Sequence, residues 1–312
     1  MPPDIPDFAT ACQTALARLP AGSQPWSCGW CAAVAGILEA ATAKPGNVSP
    51  GRSFPDLAFA DLVAAAVATA PAMEAAPRSP LGQTVLAAVR SGTAVTRSNA
   101  NLGIVLLIAP LATASTGPTP ASVEAVLTTL GQADAAAIWE AIALARPGGL
   151  GRSDRWDLAE PPPPDIRAAM RHAADRDTIA RLWAEGFHDL FDGPVADLAR
   201  AVAAGRPLND AILDAFLRQL AREPDSLIAR RHGAAAAEDV RQRAARLVAG
   251  RTGGGWSDEI AAFDSSLRSP NRLNPGTTAD LVAAALYILL ADGSLRPALP
   301  FATPPPFPEN TR

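Results

Sequence analysis

Cysteine is scarce in this chain: Cys12, Cys28 and Cys31 are the only three in 312 residues. Three thiols build no disulfide framework, and an odd count fits a reducing compartment. Cys28 and Cys31 form a C-x-x-C. The histidines that could complete a zinc site, His172, His188 and His232, stand singly and far along the chain. A redox motif needs a strand just before it, and Pro25-Trp26-Ser27 is not one. The pair therefore reads as residues at a helix start. Positive charge is missing as well. Only 19% of residues are charged and the formal net charge is −4, which excludes a nucleic-acid binder that works by displacing counterions. A small basic pocket for a phosphorylated ligand remains compatible, because local charge can oppose the net sign.

Long apolar runs are absent too. Ile104–Ala114 and Leu281–Ala291 are the longest, each about half of the ~20 residues that a bilayer span needs. Both predict buried core helices, with Pro110 interrupting the first. Met1-Pro2-Pro3-Asp4 offers no basic or apolar signal region. The expectation is a soluble, cytoplasmic protein with no membrane partner. The standard nucleotide and hydrolase signatures are also lacking: no Gly-x-x-x-x-Gly-Lys-Ser/Thr, no Gly-x-Gly-x-x-Gly after a strand, no Gly-x-Ser-x-Gly and no His-Glu-x-x-His.

What the chain does have is alanine in blocks, with Pro and Gly between them, and 48% apolar residues to fill a core. Alanine is the best helix former and proline the worst. Strand-like alternation is absent. The fold class is therefore all-α, with helices expected at 6–18, 27–43, 57–70, 79–96, 101–115, 120–129, 132–145, 165–190, 195–204, 208–221, 234–249, 257–267 and 277–292. Residues 1–300 read as one domain and 301–312 as a Pro-rich tail.

The unusual residues fall in the loops. Lys44-Pro45-Gly46-Asn47 ends a helix that carries Glu39, and Asp56 lies downstream. A lysine beside carboxylates suits a phosphate and its Mg²⁺, although a lysine also favours a helix C-terminus. Asn99 and Asn101 precede Gly103 and an apolar helix, a cap or an anion site. Asn274-Pro275-Gly276-Thr277-Thr278 opens a helix with Asp280 in its first turn. That acid either complements the helix dipole or faces a metal. Asp225 precedes Arg230, Arg231 and His232, and guanidinium forks bind phosphate well. Arg176-Asp177 reads as a solvated mid-helix pair.

Ala43-Lys44-Pro45-Gly46-Asn47-Val48, Asn99-Ala100-Asn101-Leu102-Gly103, Asp225-Ser226-Leu227-Ile228 and Asn274-Pro275-Gly276-Thr277-Thr278-Ala279-Asp280-Leu281 resemble, in order and spacing, the motifs of the triphosphoribosyl-dephospho-CoA synthase family. The resemblance implies an all-α transferase that takes ATP as triphosphoribosyl donor, releases adenine and joins the sugar to 3′-dephospho-CoA. It makes Asp56, Asp225 and Asp280 candidate catalytic residues. Lys44, Gly46, Asn47, Asn99, Asn101, Gly103, Arg230, Asn274, Thr277 and Thr278 become candidate substrate contacts. Glu39, Asp56, Asp225 and Asp280 become candidate Mg²⁺ ligands. The expected partner is a small-molecule nucleotide, and a homodimer is compatible. Better-known members carry a His-Lys pair where this chain reads Asn101-Leu102. That departure resembles a divergent branch linked to methanopterin- and methanofuran-type one-carbon metabolism, with a different acceptor or with nucleotide binding alone.

Overall fold

The computed structural model describes residues 26–96, 101–114, 116–146, 148, 155–251 and 253–295. The expected helix at 6–18, the loop residue Asn99 and the tail at 301–312 lie outside them. Among the described residues there are fourteen α-helices of seven residues or more and no β-strand, only isolated bridges at Ser49–Arg52 and Phe54–Leu57. We number the helices α1 (Cys28–Ala41), α2 (Phe59–Ala75), α3 (Leu81–Val95), α4 (Leu102–Thr113), α5 (Pro120–Thr128), α6 (Gln132–Ala145), α7 (Ile166–Ala173) and α8 (Thr178–Glu185). They continue with α9 (Ala196–Ala203), α10 (Leu208–Arg222), α11 (Ser226–His232), α12 (Ala234–Gly250), α13 (Asp258–Arg268) and α14 (Gly276–Ala291).

The core is built around α14. Every residue from 277 to 290 is buried except Asp280. A helix that is apolar all round must be enclosed on all sides, and α1, α4, α10 and α11 all pack on it. α1, α2, α3 and α6 pack in succession along one side, and α10, α11 and α12 close the other. α4 is buried from Val105 to Ala112 and continues through Pro110. Helix Phe59–Arg78 is long and apolar enough, by length and composition, to cross a membrane; it packs against α1, α3 and α4 within the bundle. Cys28 and Cys31 lie in the first turns of α1, and burial pushes the Cys31 thiol up to about 12, which leaves it protonated and unreactive.

Two expectations need correction. The helix read at 165–190 is broken into α7 and α8 and a short turn beyond. Asp177 accepts the Ala180 N–H at 3.0 Å as the N-cap of α8, and Gly186 ends that helix in the left-handed region at φ 89°. Asp177 is thus no solvated mid-helix acid; it also pairs with Arg230. The segment after Asp225, outside the expected helix spans, forms the two-turn helix α11, capped by Asp225 itself, with Arg230, Arg231 and His232 in its last turn before Gly233. In both places one aspartate at an N-cap outweighs the surrounding helix propensity.

Candidate active site

A cleft of about 800 Å³ opens over the N-terminus of α14. Its walls come from the 44–57 loop, the start of α4, α7, α8 and α11. Of the sequence candidates, Glu39, Asn47, Asp56, Asn101, Gly103, Arg230, Asn274, Thr277 and Asp280 line it. Lys44, Gly46, Asp225 and Thr278 stand behind them.

Asp280 occupies the floor. Its carboxylate carries no hydrogen bond or ion pair among the described residues. Burial holds its pKa well above the usual carboxylate range, and the charges of Glu39, Asp225 and Asp177 push the same way against Arg230. Gly103 at the start of α4 is backed against it: a Cβ there would collide with the Asp280 carboxylate. Gly103→Ala is therefore expected to displace Asp280, costing about 1–3 kcal/mol of stability together with activity. Urea denaturation would check the loss of stability.

Glu39 is held from behind. The Lys44 ammonium is buried, 3.0 Å from Glu39 Oε1, and donates to the Glu39 and Thr42 carbonyls. All three N–H donors of the lysine are thereby engaged. The expectation that Lys44 grips a triphosphate is corrected: the ammonium faces inward and holds Glu39. Asp225 is likewise a tie between elements. Its Oδ1 accepts the Leu227 and Ile228 N–H groups at 3.0 Å, and its Oδ2 accepts the Thr278 N–H and hydroxyl at 2.8 Å. One buried carboxylate thus joins the N-termini of α11 and α14, with the Ser226 hydroxyl donating to Thr277 Oγ1 at 3.0 Å beside it. Desolvation raises the Asp225 pKa.

The 44–57 loop hangs on an acid that the sequence reading missed. Asp264 of α13 accepts from the Gly46 N–H at 2.8 Å, from Arg52 at 2.7 Å, and from Arg268 Nε at 2.9 and 3.0 Å to its two oxygens. Arg268 also donates to the Asn47 carbonyl, and Asn47 Nδ2 donates to the Pro275 carbonyl at 3.2 Å. The Asp264–Arg268 spacing of four on one helix face is the signal that could have exposed this hub. Asn101 caps α4 without a side-chain cap bond and donates weakly to the Ala65 carbonyl at 3.5 Å.

The four acids named as Mg²⁺ ligands do not assemble. Asp225 has both oxygens filled, and Asp56 sits at the mouth, paired with Arg272, which holds its pKa below the usual range. Among the described residues no three His, Cys, Asp or Glu side chains converge as a metal set. Glu39 and Asp280 remain, facing the same cleft. Mg²⁺ commonly takes one or two carboxylates and completes its shell with phosphate and water, and this donor set fits that mode.

The opposite end of the cleft is apolar and cationic. Trp139, whose indole N–H donates to the Glu160 carbonyl at 3.2 Å, stands there with Ile142, Met170 and Trp156. Arg155 stacks on Trp156 at 3.9 Å, and His172 meets the same ring edge-on at 5.6 Å. Such a surface suits a planar base or an apolar chain next to phosphate.

Comparison with known proteins adds an independent finding. The family model for ATP:dephospho-CoA triphosphoribosyl transferase matches residues 25–297. The fold is similar to that of a solved protein from Archaeoglobus fulgidus described as a candidate triphosphoribosyl-dephospho-CoA synthase, with TM-score 0.60 and 24% identity. That match covers 75% of this chain and 100% of the other. No curated protein sequence matches the chain.

Proposed function

The chain belongs to the ATP:dephospho-CoA triphosphoribosyl transferase family, and from that premise we propose that the cleft over α14 transfers the triphosphoribosyl group of ATP to a hydroxyl of 3′-dephospho-CoA, with Asp280 as the base. The observation that carries this is the position of Asp280. It is the one residue of the 277–290 stretch that is not buried, it lines the cleft beside Thr277 and Ala279, and nothing in the described protein satisfies its carboxylate.

In this reaction the bond between the ATP ribose C1′ and the adenine nitrogen breaks. Adenine leaves with the electron pair and takes up a proton from solvent. The acceptor hydroxyl oxygen forms the new bond to C1′, and its proton passes to Asp280. Carboxylates under the sugar favour the positive charge that develops on it. Glu39, fixed by Lys44, supplies a second negative charge at the same floor. Glu39 and Asp280 would hold a magnesium ion, which neutralises phosphate charge when bound. The apolar end with Trp139 and Trp156 takes a base or the pantetheine chain.

A different acceptor is the second reading. It rests on Leu102, which is buried at the cleft edge where better-known members carry a cation. Incubation with ATP, Mg²⁺ and dephospho-CoA separates the readings. The proposal expects free adenine that requires both ATP and dephospho-CoA. Adenine only with another nucleotide acceptor supports the second reading, and no adenine with any acceptor contradicts both.

A further inference from the structure

The base and its neighbours leave the outer wall of the cleft without a role. That wall carries three arginines from three separate places in the chain: Arg146 just after α6, Arg231 in the last turn of α11, and Arg272 in the turn between α13 and α14. Among the described residues four non-glycine positions adopt left-handed φ, and three of them line this cleft: Arg146 at 46°, Trp156 at 55° and Arg272 at 50°. Such backbone is costly for any residue with a Cβ. It persists where the surroundings impose it, and it concentrates at ligand clamps.

Arg231 and Arg272 form one patch, and Arg146 lines the same cleft. Arg272 pairs with Asp56, and Asp56 also feels the charge of Arg231. Arg231 in turn lies against Gly148, where a Cβ would stand 2.7 Å from its Nη2, and Gly148 is two residues beyond Arg146. Arg146 and Arg231 are exposed and have no ion pair among the described residues. Arg272 Nε is buried without a hydrogen-bond partner, as is Nε of the adjacent Arg230. One carboxylate, Asp56, therefore sits between two guanidiniums, Arg272 and Arg231, and donors remain unspent.

We propose that Arg146, Arg231 and Arg272 form a polyphosphate subsite at the mouth of the cleft, distinct from the Asp280 floor. Guanidinium forks match phosphate oxygens bidentately and stay charged at any working pH. The ligand class is a di- or triphosphate chain. Its source rests on the transfer reading, in which two such chains meet: the triphosphate of the donor and the pyrophosphate of the acceptor. The subsite itself does not depend on that reading.

The test is calorimetric titration of the full chain with inorganic tripolyphosphate, with ATP and with dephospho-CoA, comparing the parent with R146A/R231A. Both residues are exposed, so the variant should fold, and its urea midpoint checks this. Arg78→Ala, on an exposed arginine outside the cleft, controls for net charge. Tripolyphosphate affinity is expected to fall roughly ten- to a hundredfold in the double variant and to stay unchanged in the control. A matching fall for ATP alone assigns the subsite to the donor, and a fall for dephospho-CoA alone assigns it to the acceptor. Equal binding by parent and double variant, an equal fall in the control, or no binding of any of the three by the parent overturns the proposal. If tripolyphosphate binds through these arginines while no adenine is ever released, the transfer reading fails and the subsite stands.

Discussion

Lys44→Met lowers the stability of the protein by about 3–5 kcal/mol, the range for removing one partner of a buried ion pair. The ammonium has no exposed surface and Glu39 very little, so the carboxylate left behind keeps only its narrow contact with the cleft. The Glu39 and Thr42 carbonyls lose a donor at the same time. Urea denaturation of the single variant reads the loss. The double variant K44M/E39Q should recover a large part of it, because the stranded charge is gone. A lysine that gripped substrate phosphate would behave differently: its loss would weaken ATP binding and leave the fold nearly untouched.

Asp280→Asn has the opposite profile. With the base removed, turnover falls by about 10²- to 10⁴-fold, while stability at neutral pH rises. Burial and the neighbouring Glu39 and Asp225 charges hold the native carboxyl well above its unfolded pKa. Between the two values the native state binds more protons than the unfolded chain, so this residue makes stability fall as pH rises through that window. Asparagine removes the penalty. The thermal midpoint of the variant should exceed that of the parent at neutral pH, and the gap should close as pH drops toward about 4, where an ordinary aspartate is half protonated. A neutral-pH midpoint well below the parent's would assign Asp280 a structural role instead.

The helices were legible because their signals are local. Alanine blocks, caps and Pro-Gly punctuation place α5 and α6 within a residue of expectation. Asp177 misled because an aspartate inside a helical pattern looks like a surface charge, and Asp225 because a capping acid reads like a metal ligand; only the backbone each meets reveals an N-cap. The position of Asp280 was legible as an acid in the first turn of a long apolar helix. The inward turn of Lys44 was not, since an outward lysine at a helix end reads identically in sequence. Asp264 shows in sequence only as the i,i+4 partner of Arg268, because the loop it holds lies more than two hundred positions away. Of the arginines at the mouth, Arg231 stood out as a phosphate fork, and Arg146 and Arg272 did not. The three come from distant segments, and no spacing announces that they line one cleft.

The central claim is that this cleft breaks the glycosidic bond of ATP and keeps its triphosphate intact. ATP labelled in the ribose, incubated with the full chain, Mg²⁺ and dephospho-CoA and followed by mass spectrometry, tests it most directly. The account predicts unlabelled free adenine in equal amount to one adduct whose mass is that of dephospho-CoA plus a labelled triphosphoribosyl group. Label that stays with adenine in ADP or AMP, with phosphate on the acceptor or free in solution, would show phosphoryl chemistry and contradict it.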